Sequence, residues 1–197
     1  MNNIATAAKE LGLWLESHQV PYALIGGLAV SFRAVERFTR DIDFAIAVEG
    51  DEHAEEIVRE LRLLGYHVYS LLEQTKQGRI ATVRLTKGDK EGVLVDLLFA
   101  SSGIEREVAA EAEKIEVFQS LLIPTATLPA LLALKILAED SENRPQDVID
   151  IKHLLAEATE SDLIRAKELL RLIDARGYHR SKNLMDAFEG FKARFLR

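Results

Sequence analysis

The chain has 197 residues, 48% of them apolar, a formal net charge of -7 and no cysteine. That length fits one domain with an appendage or two small domains, with enough apolar residues for a packed core. The acidic balance argues against a broad non-specific nucleic-acid surface, and the missing cysteines exclude disulfide scaffolds, thiol catalysis and Cys-based zinc sites.

The opening residues Met1-Asn2-Asn3-Ile4 lack the basic-then-apolar pattern of a secretory signal, and no apolar run reaches the length of a membrane span. A cytoplasmic protein without a membrane partner is the simplest expectation. Residues 4–17 place Ile4, Leu11, Trp14 and Leu15 on one side of a predicted helix. Residues 20–25 predict a strand entering Gly26-Gly27, and residues 28–34 a helix leaving it. A second strand follows over 41–48, then a helix over 51–64 with Asp51 and Glu52 at its positive end and Gly65 as a stop. Residues 66–71, 79–86 and 93–99 read as strands. The polar turn Lys87-Gly88-Asp89-Lys90-Glu91-Gly92 makes the last two a hairpin. A short helix over 104–112 and strand-like pieces at 114–119 and 121–124 come next. From Thr127 onward the pattern is helical, over 127–139, 145–157, 161–175 and 182–196, with Pro124, Pro129 and Pro145 near the starts. The chain thus divides into an α/β core, residues 1–124, and a helical subdomain, residues 125–197.

The chemistry concentrates around Gly26-Gly27 and Arg40-Asp41-Ile42-Asp43-Phe44. On a strand, residues two apart share a face. Asp41 and Asp43 therefore point the same way while Ile42 points into the core. Adjacent carboxylates repel unless a cation lies between them, and oxygen-only ligands suit Mg²⁺ held together with substrate phosphates. The glycines let backbone approach a phosphate closely, with helix amide groups behind. Together these parts point to metal-dependent phosphoryl or nucleotidyl transfer.

A third carboxylate, Asp96, interrupts the apolar strand Val93–Phe99. Such a group is costly to bury unless it is paired, metal-bound or solvated. Further on, Lys135 lies in the Leu-rich helix Leu131-Leu132-Ala133-Leu134-Lys135, followed by Arg144-Pro145-Gln146-Asp147-Val148-Ile149-Asp150. A lysine stem can pack there while its ammonium reaches a polar site. Asp147 and Asp150, three apart, share a helix face. Two basic groups stand out in the acidic chain: Arg33, Arg37 and Arg40 beside the aspartate pair, and a tail with Arg176, Arg180, Lys182, Lys192, Arg194 and Arg197. The first suits anionic substrates; the second reads as solvated helix faces. The five histidines are scattered and make no metal-ligand set.

Gly-Gly, a short helical stretch and Asp-x-Asp between apolar residues resemble the nucleotidyltransferase superfamily. Lys135 in its apolar helix, followed by Arg144-x-x-Asp147-x-x-Asp150, resembles its AbiEii/MenT-type branch, which includes toxins of bacterial toxin–antitoxin and phage-defence systems. The resemblance covers most of residues 20–155. It implies an α/β fold, a small mixed sheet with flanking helices plus a C-terminal helical subdomain that completes the active site. It implies transfer of a nucleotidyl group from an NTP to an acceptor hydroxyl, tRNA being one candidate, with Mg²⁺ (or Mn²⁺) as cofactor and a cognate antitoxin as a candidate partner. In that scheme Asp41, Asp43 and Asp96 hold the metals and carry the catalysis, with Asp96 able to take the acceptor's proton. Gly26, Gly27, Arg40 and Lys135 contact the nucleotide, Asp147 supports the site, and Asp150 stabilises the helix pair. The chain lacks the serine of the Gly-Ser variant, so Gly26 and Gly27 offer only backbone donors, and toxin members are often larger. The Gly-Gly and Asp-x-Asp pattern is also similar to tRNA CCA-adding enzymes, but their downstream Arg-Arg-Asp signature is missing here. The alternative is a non-catalytic nucleotide-binding or antitoxin-like protein of the same fold.

Overall fold

The computed structural model describes residues 3–36, 38–74, 76–87, 92–140 and 142–196. The predicted turn residues 88–91 and two members of the basic groups, Arg37 and Arg197, lie outside them.

One seven-stranded mixed sheet organises the chain. Its strands are β1 (Tyr22–Ile25), β2 (Asp41–Ile46), β3 (Tyr66–Gln74), β4 (Arg79–Lys87), β5 (Val93–Leu98), β6 (Glu113–Phe118) and β7 (Leu121–Thr125), in the spatial order β3-β4-β5-β2-β1-β7-β6. β2 runs parallel to β5 and β1 parallel to β7, and the remaining neighbours are antiparallel. Strand β2 shows the expected alternation: Ile42 and Phe44 are fully buried, while Asp41 and Asp43 are partly exposed on the opposite face. The predicted β4–β5 hairpin is present.

The helices are α1 (Asn3–Ser17), α2 (Gly26–Arg33), α3 (Asp51–Leu63), α4 (Glu105–Ala110), α5 (Leu128–Ala138), α6 (Pro145–Glu157), α7 (Glu160–Ala175) and α8 (Leu184–Phe195). α1 packs across β2, β5 and β7, α3 against β3 and β4, and α4 against β1 and β2. In α3, buried Ala54, Ile57 and Leu61 recur at helical spacing. α5 is apolar almost all round and lies inside the rear half, against α6, α7 and α8. α7 starts on a capping box: the Asp162 amide donates to the Thr159 hydroxyl at 3.2 Å, and the Thr159 amide donates to Asp162 at 2.9 Å. Short α2 packs on β1 and β2 and also on α5 and α6, joining the two halves. A single hydrophobic core runs through both, from Phe44 on the sheet to Leu132, Leu154 and Ile173 in the helices. Among the described residues no helix is long and apolar enough to cross a membrane.

Most boundaries shift by a residue or two from the sequence reading, and two of the differences bear on the site and the sheet edge. The helix after β1 starts at Gly26 rather than Leu28, because the glycine pair supplies its first turn. β3 continues to Gln74 rather than ending at Leu71, because its ladder to β4 carries it past the apolar run.

Candidate active site

Backbone register sets Asp43 opposite Asp96 across β2 and β5, and Asp96 opposite Arg84 across β5 and β4. Opposed residues share a face, so Arg84, Asp96 and Asp43 form a row on the face that also carries Asp41. Across β1 the row meets Ile25, where the chain turns into α2. Gly26 makes that turn at φ 67°. A Cβ built there would lie 1.9 Å from Asp43 Oδ2 and 2.8 Å from Asp43 Cβ. The bare backbone of Gly26 therefore presses directly on the carboxyl group, and no other residue fits both that conformation and that distance.

These residues line a pocket of about 740 Å³, with Gly27 beside them and α5 and α6 forming the far wall. The volume lies within the range of small-ligand sites, roughly 300–1,000 Å³. Burial holds the Asp43 carboxyl up at about 6; the charges of Asp96 and Asp41 push the same way and those of Lys135 and Arg84 oppose them. Four aspartates and four cationic side chains line the pocket, with Asp41, Asp43 and Asp96 gathered on the sheet face. Arg84 takes Asp96 in a fork, Nε to Oδ1 at 2.6 Å and Nη2 to Oδ2 at 2.5 Å. That pairing pushes the Arg84 guanidinium above its ordinary range.

On the far wall Lys135 is 8% exposed and stands between two buried carboxylates, its Nζ 2.8 Å from Asp147 Oδ1 and 2.8 Å from Asp150 Oδ2. The stem is thus packed in α5 while the ammonium reaches a polar site, as its sequence setting suggests. Gln146 donates to Asp150 at 3.1 Å. Arg144 Nε lies 3.2 Å from Asp147 Oδ2, an ion pair without hydrogen-bond geometry.

Three further groups line the pocket that sequence reasoning did not place there. The loop after β5 contributes Ser101 and Ser102, whose amides donate to buried Glu105 at 2.8 and 2.7 Å. Burial pushes the Glu105 carboxyl up, against the lowering effect of those hydrogen bonds. Arg180 reaches the pocket from beyond α7, donating to Ser101 O at 3.1 Å and Ser101 Oγ at 3.0 Å. Burial pulls its guanidinium down, and among the described residues no carboxylate pairs with it. Arg84 had only a partial signal: symmetry about the middle of the polar turn opposes it to Val95, and the observed register, one residue further, sets it against Asp96. Arg180 had none, since only the return of the chain after α7 brings it back.

The basic groups separate. Arg40 is exposed, its guanidinium 5.5 Å from the Phe38 ring centre, and stands outside the pocket wall. Arg33 faces away from the site and ties α2 to the sheet, donating to Ala126 O, Thr125 O and Glu113. In the tail, Arg176 pairs with Glu107, and Lys182 donates to Leu137 O and Glu139 O at the end of α5.

The donor set fits a divalent cation in one particular way. Among the described residues no three His, Asp or Glu side chains converge closely enough to hold an ion by themselves. Asp41 and Asp43 on one face, with Asp96 beside Asp43, match an ion that takes two carboxylates and completes its shell with phosphates and water. A carboxylate offers about four lone-pair sites, so the Arg84 fork leaves Asp96 able to accept further bonds.

A nucleotidyltransferase-like protein from Paracoccidioides brasiliensis has a similar fold, with a TM-score of 0.54 at 18% identity over 95% of this chain and 93% of that one. The antibiotic-resistance factor ANT(2'')-Ia aligns at TM-score 0.49 and 18% identity, over 100% of this chain and 95% of its own. MenT4, a nucleotidyltransferase toxin from Mycobacterium tuberculosis H37Rv, aligns at TM-score 0.45 and 14% identity, over 96% and 91%. No curated protein matches the sequence. The family described as nucleotidyl transferase AbiEii toxin, type IV TA system, matches residues 12–194. That span runs from within α1 to the end of α8, and the chain belongs to the AbiEii family of nucleotidyl transferase toxins.

Proposed function

We propose that this protein transfers a nucleotidyl group from an NTP to an acceptor hydroxyl, with Mg²⁺ or Mn²⁺, and that tRNA is the first acceptor to test. The observation that carries the reading is the row of Asp43 and Asp96, with Asp41 on the same face, held against the bare backbone of Gly26. Asp41 and Asp43 would hold the ion, which when bound would polarise the α-phosphate and offset charge on the attacking and leaving oxygens. Gly26 and Gly27 present backbone at the start of α2, where amide donors favour phosphate. Lys135 has three ammonium donors; two serve Asp147 and Asp150, and the third supports a phosphate contact. Asp147 sets that ammonium in place. Arg144 and Arg180 supply positive charge on the pocket wall for the triphosphate or for an acceptor phosphate.

In the reaction the acceptor oxygen attacks the α-phosphorus, the bond to the bridging oxygen breaks, and pyrophosphate leaves. Asp96 orients the acceptor hydroxyl and takes its proton, with Arg84 holding the carboxylate in line. In this reading residues 1–124 bring the carboxylates and residues 125–197 bring Lys135, Asp147 and Arg180. The family also supports a cytoplasmic setting and a cognate antitoxin as a partner.

The test is incubation with labelled NTPs, Mg²⁺ and total cell RNA or lysate. Label should pass to an acceptor, stop in excess chelator and be absent with Asp43→Asn. Transfer that persists in chelator would overturn the metal reading. Absence of transfer to any acceptor would favour the non-catalytic alternative.

A further inference from the structure

Strand β3 buries almost nothing. Every residue from His67 to Glu73 is exposed, with Tyr69 at 70% and Leu72 at 63%, and Val68 and Leu71 open beside them. Leu63, 84% exposed, and Leu64 extend the apolar surface at the end of α3 that leads into the strand. Among the described residues β3 is terminal in the sheet and pairs only with β4, so its outer side presents backbone N–H and C=O groups to which no described strand is paired.

Edge strands of this length are normally guarded by lysines, prolines or inward-pointing charges. β3 reads Tyr-His-Val-Tyr-Ser-Leu-Leu-Glu-Gln, with no lysine or proline and one carboxylate, Glu73. The opposite edge, β6, carries Glu113, Lys114 and Glu116. The β3 edge shifts register against β4 between Val68 and Ser70 and between Leu72 and Glu73, but charged side chains guard the β6 end far more than the β3 end.

We propose that β3 is the interface of a homodimer, in which two copies join edge to edge and antiparallel about a two-fold axis near Ser70. A second copy is the occupant that the strand itself specifies. An isologous contact through one strand is antiparallel by symmetry. That arrangement sets the His67 end of one strand against the Glu73 end of the other, imidazole against carboxylate, at both ends at once. Between them Val68 of one copy meets Leu72 of the other and Tyr69 meets Leu71, apolar against apolar, the cross-strand pairings that stabilise a sheet. Leu72 also lines the pocket. The partner strand therefore extends the pocket-bearing face of the sheet past the Leu72 rim and adds to the wall where an acceptor enters.

The chain has no cysteine, so Ser70→Cys introduces a single thiol. Facing Cα atoms in an antiparallel pair stand about 4.5–5.5 Å apart, within disulfide reach. Sedimentation equilibrium across a wide concentration range should show a concentration-dependent dimer. Tyr69→Lys combined with Leu71→Glu should give a monomer with an unchanged circular dichroism spectrum. Ser70→Cys should form disulfide-linked dimers about tenfold or more faster than Glu116→Cys on the β6 edge, because pairing raises the effective thiol concentration. A monomer at every concentration, a dimer that survives the double substitution, or equal cross-linking of the two thiols would each overturn the proposal.

Discussion

Replacing Gly26 with alanine imposes two separate strains. The backbone at φ 67° lies in the left-handed region, where a side chain costs about 1–2 kcal/mol. The added Cβ would approach Asp43 Oδ2 to 1.9 Å, against an ordinary contact of 3.4–4 Å. The carboxylate must withdraw by more than an ångström, and overpacking of this kind adds about 1–3 kcal/mol. The expected loss of stability is about 2–5 kcal/mol in total. A displacement of that size at a metal-binding carboxylate costs on the order of a hundredfold in rate. Gly78→Ala is the matched control: Gly78 has φ 60° and nothing within 4 Å of where its Cβ would lie, so only the backbone strain applies and the rate should hold. Urea unfolding measures the first quantity and initial transfer rates at saturating NTP the second. If Gly26→Ala loses no more stability than Gly78→Ala and keeps the wild-type rate, the backbone of Gly26 does not set the position of Asp43.

Asp43→Asn should raise the stability of the metal-free protein at pH 7. The folded carboxyl titrates at about 6, above its ordinary 3.8, so its ionisation opposes folding. The stability it contributes is complete below the unfolded value and is lost as pH rises through 6. The advantage of the variant, at most about 3 kcal/mol, should therefore fade between pH 6 and pH 4 in urea titrations. An advantage independent of pH would show that charge is not its cause. For the Arg84–Asp96 fork, a double-mutant cycle with Arg84→Gln and Asp96→Asn should return a coupling of about 1.5–3 kcal/mol, and a value near zero would reduce the fork to proximity. Lys135→Met strands two buried carboxylates and should destabilise by about 3–5 kcal/mol. In the folded fraction, calorimetry should also find NTP binding weaker by about 1.5–3 kcal/mol, with Lys135→Arg recovering only part. Unchanged affinity would leave Lys135 a purely structural residue.

Much of this architecture follows from local pattern. Period-two alternation in Asp41–Phe44 orients both aspartates before any tertiary contact forms, and the apolar setting of Asp96 marks it as a carboxylate that needs a partner. The Leu-rich run around Lys135 predicts an interior helix, and α5 is one. The partner of Asp96 was only narrowed by sequence, since symmetry about the predicted turn brings Arg84 to Val95 and the actual register moves it one residue on to Asp96. Arg33 shows the limit of composition: it belongs to a basic cluster in sequence, yet its donors go to Ala126, Thr125 and Glu113.

The sequence by itself determined the order and type of the elements, the shared face of Asp41 and Asp43 and the family signature, because these depend on residues close along the chain. Only the tertiary structure decided which strands are neighbours. Parallel pairing of β2 with β5 sets Asp43 beside Asp96, and parallel pairing of β1 with β7 draws the helical half over the pocket. It also decided that Lys135 sits between Asp147 and Asp150, that Arg180 returns to the pocket at Ser101 and that β3 is left as an open edge. Each of these joins residues far apart in the chain, and such contacts depend on how whole elements bury their apolar faces against one another, which no local periodicity encodes.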